Sequence, residues 1–197
     1  VKVRLQDGVW HTLSSYLIKV DEVRDTRHYV ENASMAIFDF TGKVEVAVTY
    51  NLGEVQTAKV RPLSYDIPFQ IDGNTVTFTL EHPRNLSVEV NGDIFHNFHL
   101  FTGSPERTIP DKDNPEVIYF GPGIHTVKNG ELRVPSGKTV YLAGGAVLMG
   151  RVLIENVHDV KLLGRGIIDH SIKGGIRIAN SRDAVSYTHL TLPTNSR

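Results

Sequence analysis

The side chains in this sequence best suited to chemistry are nine histidines and 22 acidic residues, and their spacing decides what they could do. His96 and His99 stand three apart. On a strand that spacing puts them on opposite faces, which is poor chelate geometry. No cysteine accompanies them and no His-Glu-x-x-His occurs, so a structural or surface role is expected rather than a metal site. Asp169-His170, an acid–histidine pair in the regular C-terminal part, reads as a turn carboxylate bonding backbone amides. Gly121-Pro122-Gly123, Gly144-Gly145 and Gly164-Arg165-Gly166 suggest phosphate loops at first sight. Neither GxGxxG nor GxxxxGK[ST] with a following helix is present, so they read as structural corners. Trp10, the only tryptophan, could join Tyr16 or Tyr29 in a sugar-stacking platform, although core packing is the default for aromatics. No catalytic, cofactor-binding or metal-ligating residue is assigned on these grounds.

The elements that must position such groups come from an internal repeat. Thr139–Gly150 (TVYLAGGAVLMG) lies over Asp159–His170 (DVKLLGRGIIDH) at an offset of 20, with Val140 over Val160, Leu142 over Leu162, Gly144 over Gly164 and Val147 over Ile167. Ile154–Val160 lies over Ile178–Ala184 at an offset of 24, with Asn156 over Asn180 and Asp159 over Asp183. Ile118–Phe120 precedes Val140–Leu142 by 22. Short β-type runs at such periods, with glycine at the corners, predict stacked coils of a β-solenoid, in which only neighbouring coils bury the apolar edges. The rival is an ordinary antiparallel sheet with Gly-rich turns. Two very short apolar runs split by Gly164-Arg165-Gly166 argue against it, because hairpin strands are longer and alternate more strictly.

The first hundred residues read differently. Lys43–Tyr50, Thr75–Glu81 and Asn85–Val90 alternate with period two, which means one buried and one wet face. Tyr16–Val20, Ala36–Phe40 and Phe98–Phe101 are further strand candidates, and Asp72-Gly73 and Asn91-Gly92 are good hairpin turns. A β-sandwich over residues 1–101 is expected. Thr102–Glu116, with three prolines among charges, is expected to be the connector, lying against one domain. Residues 117–184 then form the start of a parallel β-helix.

At these residues the chain resembles a known group. VKLLGRGIIDHS, VIYFGPGIHTV and VPSGKTVYLAGGAVLMGRV are similar to the opening coils of glycoside hydrolase family 28, the polygalacturonase-like right-handed parallel β-helices, in members that carry an N-terminal β-sandwich. The layout also resembles the dextranases of family 49, and pectate lyases share such coils. The resemblance implies an all-β, polysaccharide-degrading hydrolase that inverts configuration, secreted or periplasmic, with a polysaccharide partner and no cofactor. In that family the acid of the I-D-G segment is not catalytic. Here His170 replaces the glycine. The N-T-D, D-D and G-H-G segments that carry the family's catalytic groups are absent, and so is R-I-K. Val185–Thr194 (VSYTHLTLPT) resembles a translated sequencing adapter, so residues 185–197 are expected not to continue the coil pattern. The expectation is an inactive fragment ending inside a solenoid, with Ile167, Ile168, Ile176 and Ile178 exposed on its last coil.

Charge and composition narrow the partners. Twenty-one basic against 22 acidic residues give a net charge of −1, with no pointer to nucleic acid or an anionic membrane. No run of 18 apolar residues exists, so no membrane span is expected. The absence of cysteine removes disulfides and thiol nucleophiles and identifies no compartment.

Overall fold

A computed structural model of the chain describes residues 1–169 and 175–188. His170, and His189, Leu190 and Leu192 of the adapter-like stretch, lie outside the described residues. The described fold is all-β, with eighteen strands, one 3-10 turn at Leu63–Tyr65 and no α-helix. The chain divides into two compact units, Val1–Pro105 and a second that begins at Glu106.

The first unit holds β1 (Lys2–Arg4), β2 (Trp10–Thr12), β3 (Tyr16–Arg24), β4 (Arg27–Asp39), β5 (Val44–Thr49), β6 (Ala58–Arg61), β7 (Phe69–Asp72), β8 (Thr75–Leu80), β9 (Leu86–Val90) and β10 (Asp93–Gly103). They form two five-stranded sheets, β2-β1-β5-β8-β7 and β3-β4-β10-β9-β6. The period-two segments became β5, β8 and β9. Val44, Val46 and Val48 alternate inward opposite Leu80, Phe78 and Val76, while Glu45, Thr77 and Thr79 face out. One apolar cluster takes Val46 and Phe78 from the first sheet and Ala36, Val88 and Leu100 from the second. Each such side chain removed from water contributes about 1.5–3 kcal/mol. Both residues of Asn91-Gly92 adopt positive φ between β9 and β10, as a tight hairpin turn demands. All pairings are antiparallel except β4 with β10, which run parallel from Ser34 opposite Phe98 to Asp39 opposite Gly103. The connector therefore begins later than the prolines suggest. Thr102 and Gly103 belong to β10, and buried Thr102 uses its hydroxyl to accept from Arg84 N at 2.6 Å and donate to Arg84 O at 2.7 Å.

The second unit holds β11 (Val117–Phe120), β12 (Gly123–Arg133), β13 (Thr139–Leu142), β14 (Ala146–Glu155), β15 (His158–Gly164), β16 (Ile167–Asp169), β17 (Ile176–Ala179) and β18 (Arg182–Thr188). Every pairing among them is parallel. One sheet runs β11-β13-β15-β18, and the other runs β12-β14-β16 with β17 also on β14. Ile118 stands opposite Val140 and Val140 opposite Leu162, 22 residues on each time. Ile154 stands opposite Ile178 at 24 and Val147 opposite Ile167 at 20. Val140, Leu142, Leu148, Ile154, Leu162 and Ile168 fill one core.

Three expectations need correction. The uniform offset of 20 holds for Val147 and Leu148 but not for Val140, which pairs with Leu162 rather than Val160. Ile167 and Ile168 are buried rather than exposed, Ile168 as part of the core between the two sheets, whereas Ile178 is exposed as expected. The ladder also does not stop at Ala184: β18 continues in register to Thr188 on β15. A parallel ladder is made by backbone N–H and C=O groups, which any non-proline sequence supplies.

Candidate functional site

The histidines that invite a metal reading are engaged otherwise. His96 has Nδ1 2.7 Å from Asp93 Oδ2 and Nε2 3.2 Å from Glu31 Oε2, so carboxylates occupy both ring nitrogens. His99 is half-buried and stacks on Phe101 with centroids 6.3 Å apart. Among the described residues no group of three or more His, Cys, Asp or Glu side chains is placed to hold one metal ion.

These groups give the first unit a pH signature. The hydrogen bond and charge of Asp93 raise the His96 pKa above 6.5, with burial opposing and Glu31 adding. Burial alone lowers that of His99. For Asp93 burial acts upward, but hydrogen bonds from Phe95 N, the His96 ring and His96 N hold it below 3.8. A raised folded pKa stabilises below the unfolded value and is lost as pH rises through the folded one. A lowered histidine pKa stabilises above 6.5 and is lost on acidification. Denaturant midpoints of the first unit between roughly pH 5 and 8 are therefore expected to fall on both sides of a maximum. His96→Gln should flatten the alkaline limb and His99→Phe the acid limb.

The glycine corners carry a backbone role. Arg165 N and Gly166 N both donate to Leu142 O, at 2.8 and 3.0 Å, and Gly123 N donates to Gly145 O at 3.0 Å. These three corner amides are thus spent on neighbouring rungs. Asp159 and Asp183 occupy equivalent positions, both in left-handed backbone at φ 53°. Asp159 holds His158 Nδ1 at 2.8 Å. Rungs of a sheet lie about 4.8 Å apart, short of the ~6.5–9.5 Å that an inverting acid and base need with water between them. Asp169 sits in β16 opposite Met149.

The aromatic platform is not assembled. Trp10 lies in β2, whereas Tyr16 and Tyr29 lie in β3 and β4 of the other sheet. The Arg4 guanidinium lies over the Trp10 ring, 4.8 Å from its centroid, and Glu45 binds Arg4. Beside Glu45, a shallow depression of about 320 Å³ is lined by Gln70, Thr77 and Thr79.

Two arrangements in the second unit escaped sequence reasoning. Tyr141 points away from Val140 and Leu142 yet is buried. It donates to Glu106 at 2.6 Å, and its ring lies 5.1 Å from that of Tyr119. Burial first, then the Glu106 carboxylate, pushes its phenol well above the ordinary range. The expected docking of the connector thus begins at Glu106, on the second unit. A belt of charge also crosses the rungs: Arg133 reaches Glu131 at 3.2 Å and Glu155 at 3.5 Å, and Arg177 reaches Glu155 at 2.7 Å. Stacking the sequence at its 20–24 period would have aligned these columns, as it did Tyr119 over Tyr141. The belt is self-neutralising, which suits an exposed wall more than a reaction centre.

No family model matches the chain, and no curated protein matches it.

Proposed function

We propose that the chain is the scaffold region of a polysaccharide-degrading glycoside hydrolase of the polygalacturonase-like kind, a β-sandwich followed by a right-handed parallel β-helix. The observation that carries this reading is the pair of parallel ladders, which advance 20 to 24 residues per rung with asparagine and aspartate repeating at the same corners. A stack of this kind presents a long flat wall of regularly spaced side chains, suited to a linear polymer. Hydrolysis with inversion needs one acid to protonate the leaving oxygen and one base to activate water. The acids that repeat here, Asp159 and Asp183, hold corners instead. That same observation favours a second reading, a carbohydrate-binding β-helix without catalysis.

The test uses the 197-residue polypeptide. Reducing-end release from galacturonan and from dextran is expected to stay at background, since each lost acid or base removes ~10²–10⁴ in rate. Affinity electrophoresis should show retardation by galacturonan. Retardation by dextran alone points to the dextranase-like relation, and retardation by neither overturns the polysaccharide reading. Hydrolysis abolished by Asp159→Asn or Asp183→Asn would overturn the corner assignment of those acids.

A further inference from the structure

We propose that the β3 edge is a self-association surface: it pairs antiparallel with β3 of a second copy of this chain, about a two-fold axis through Val20. β3 is the terminal strand of its sheet, so its outer edge has no partner strand among the described residues. The hairpin it makes with β4 also outgrows the sheet. β10 follows β4 only from Ser34 onward, leaving Arg27–Ala33 paired to β3 alone. A ribbon two strands wide is marginal in water by itself. This one is held in place: Glu31 reaches His96, and the Arg24 guanidinium lies over the rings of Tyr29 and Phe95, at 5.2 and 4.2 Å.

The composition of that edge selects its occupant. Leu17, Lys19, Asp21 and Val23 alternate along one exposed face of β3, and Val30 of β4 joins them opposite Asp21. Leu17 is 77% exposed, Val30 67% and Val23 60%, an apolar set left in water. A two-fold axis through Val20 places residue 17 opposite 23 and residue 19 opposite 21. Leucine then meets valine twice and lysine meets aspartate twice, all on one face. Charges on an edge strand usually prevent strand addition. Here the lysine and aspartate stand symmetrically about Val20, so a second copy in this register sets Lys19 against Asp21, which within its own hairpin holds His28 Nδ1 at 2.9 Å. An unrelated strand or a slipped register leaves them mismatched. Pairing two such ribbons makes a four-stranded sheet, which has the width an isolated hairpin lacks.

The experiment is sedimentation equilibrium of the full chain and charge variants over a concentration series, with circular dichroism to verify equal folding. The wild type is expected to show a reversible monomer–dimer equilibrium. Lys19→Asp alone places aspartate opposite aspartate, and Asp21→Lys alone places lysine opposite lysine. Each should weaken association by about tenfold, from two attractive cross-strand pairs turned repulsive. An equimolar mixture of the two single variants restores opposite charge at every pair and should dimerise as the wild type does, as should the double swap. A wild type that stays monomeric up to its solubility limit overturns the proposal. So do single variants that associate like wild type, or a mixture no better than its components.

Discussion

Gly164→Ala is expected to cost the second unit more than about 4 kcal/mol, enough to open its ladders while the first unit stays folded. Gly164 has φ of 120°, and a Cβ there would stand 1.9 Å from Leu142 O, 2.7 Å from Leu142 C and 2.8 Å from Leu142 N. All three are backbone atoms of the adjoining rung, so no rotamer relieves the clash. Leu142 cannot retreat either. Its carbonyl accepts from Arg165 N and Gly166 N, and Ala143 N beside it donates to Phe120 O at 2.9 Å on the rung before. Gly144→Ala is the matched control. Its Cβ would meet only Arg165 Cβ at 3.8 Å, so the change should stay within about 0.5 kcal/mol. Amide exchange separates the outcomes: protection lost in β13 and β15 but kept in β5 and β8 is expected for Gly164→Ala. Unchanged protection would mean that the rungs are not held at this spacing.

Arg61→Met is expected to destabilise the first unit by about 3 kcal/mol, the low end for stripping a buried carboxylate of its counter-ion, because Arg61 itself reaches solvent. Glu89 in β9 is 5% exposed; Arg61 Nε of β6 bonds its Oε1, and its Oε2 has no hydrogen-bond partner. Removing the guanidinium leaves the buried Glu89 side chain without the hydrogen bond that Arg61 supplies, with Lys59 its cross-strand neighbour. The double variant Arg61→Met with Glu89→Leu removes both charges, and should recover most of the loss or exceed the wild type, since apolar substitutes for a buried pair are often neutral or better. Urea unfolding followed in the first unit reads both. A double variant no more stable than Arg61→Met alone would show that the carboxylate was not the source of the cost.

The features that were legible in the sequence are local and periodic. Val44–Val48 and Val76–Leu80 announced β5 and β8 because alternation reports which side of a strand is buried. Ile118–Phe120 over Val140–Leu142 was read in its correct register, since no corner lies inside that stretch. Across a corner the same method failed. Gly144 was laid over Gly164 because both are glycines, yet Gly164 stands opposite Leu142. A slip of two residues keeps every apolar side chain facing inward, so hydrophobicity gives no warning. The parallel β4–β10 pairing and the Arg61–Glu89 contact join residues far apart in sequence and leave no local signal. The arm of β3 and β4 was hidden by its own charges. Of the candidate chemistry, the carboxylates that hold His96 were not foreseen, because Glu31 lies 65 residues away in sequence.

The corners take different numbers of residues while the rungs keep one spacing. From Phe120 to Gly123, Leu142 to Ala146 and Gly164 to Ile167, the chain turns the same corner with unequal lengths. Length along the polypeptide is thereby uncoupled from height along the stack. Residues added at a corner would grow sideways as a fin, directly above and below the same corner of neighbouring rungs, and the axial pitch would not change. Closing such a loop costs only about 0.6 kcal/mol for each doubling of its length. A lineage could therefore raise a rampart beside the flat wall, one corner at a time, without renegotiating the interior.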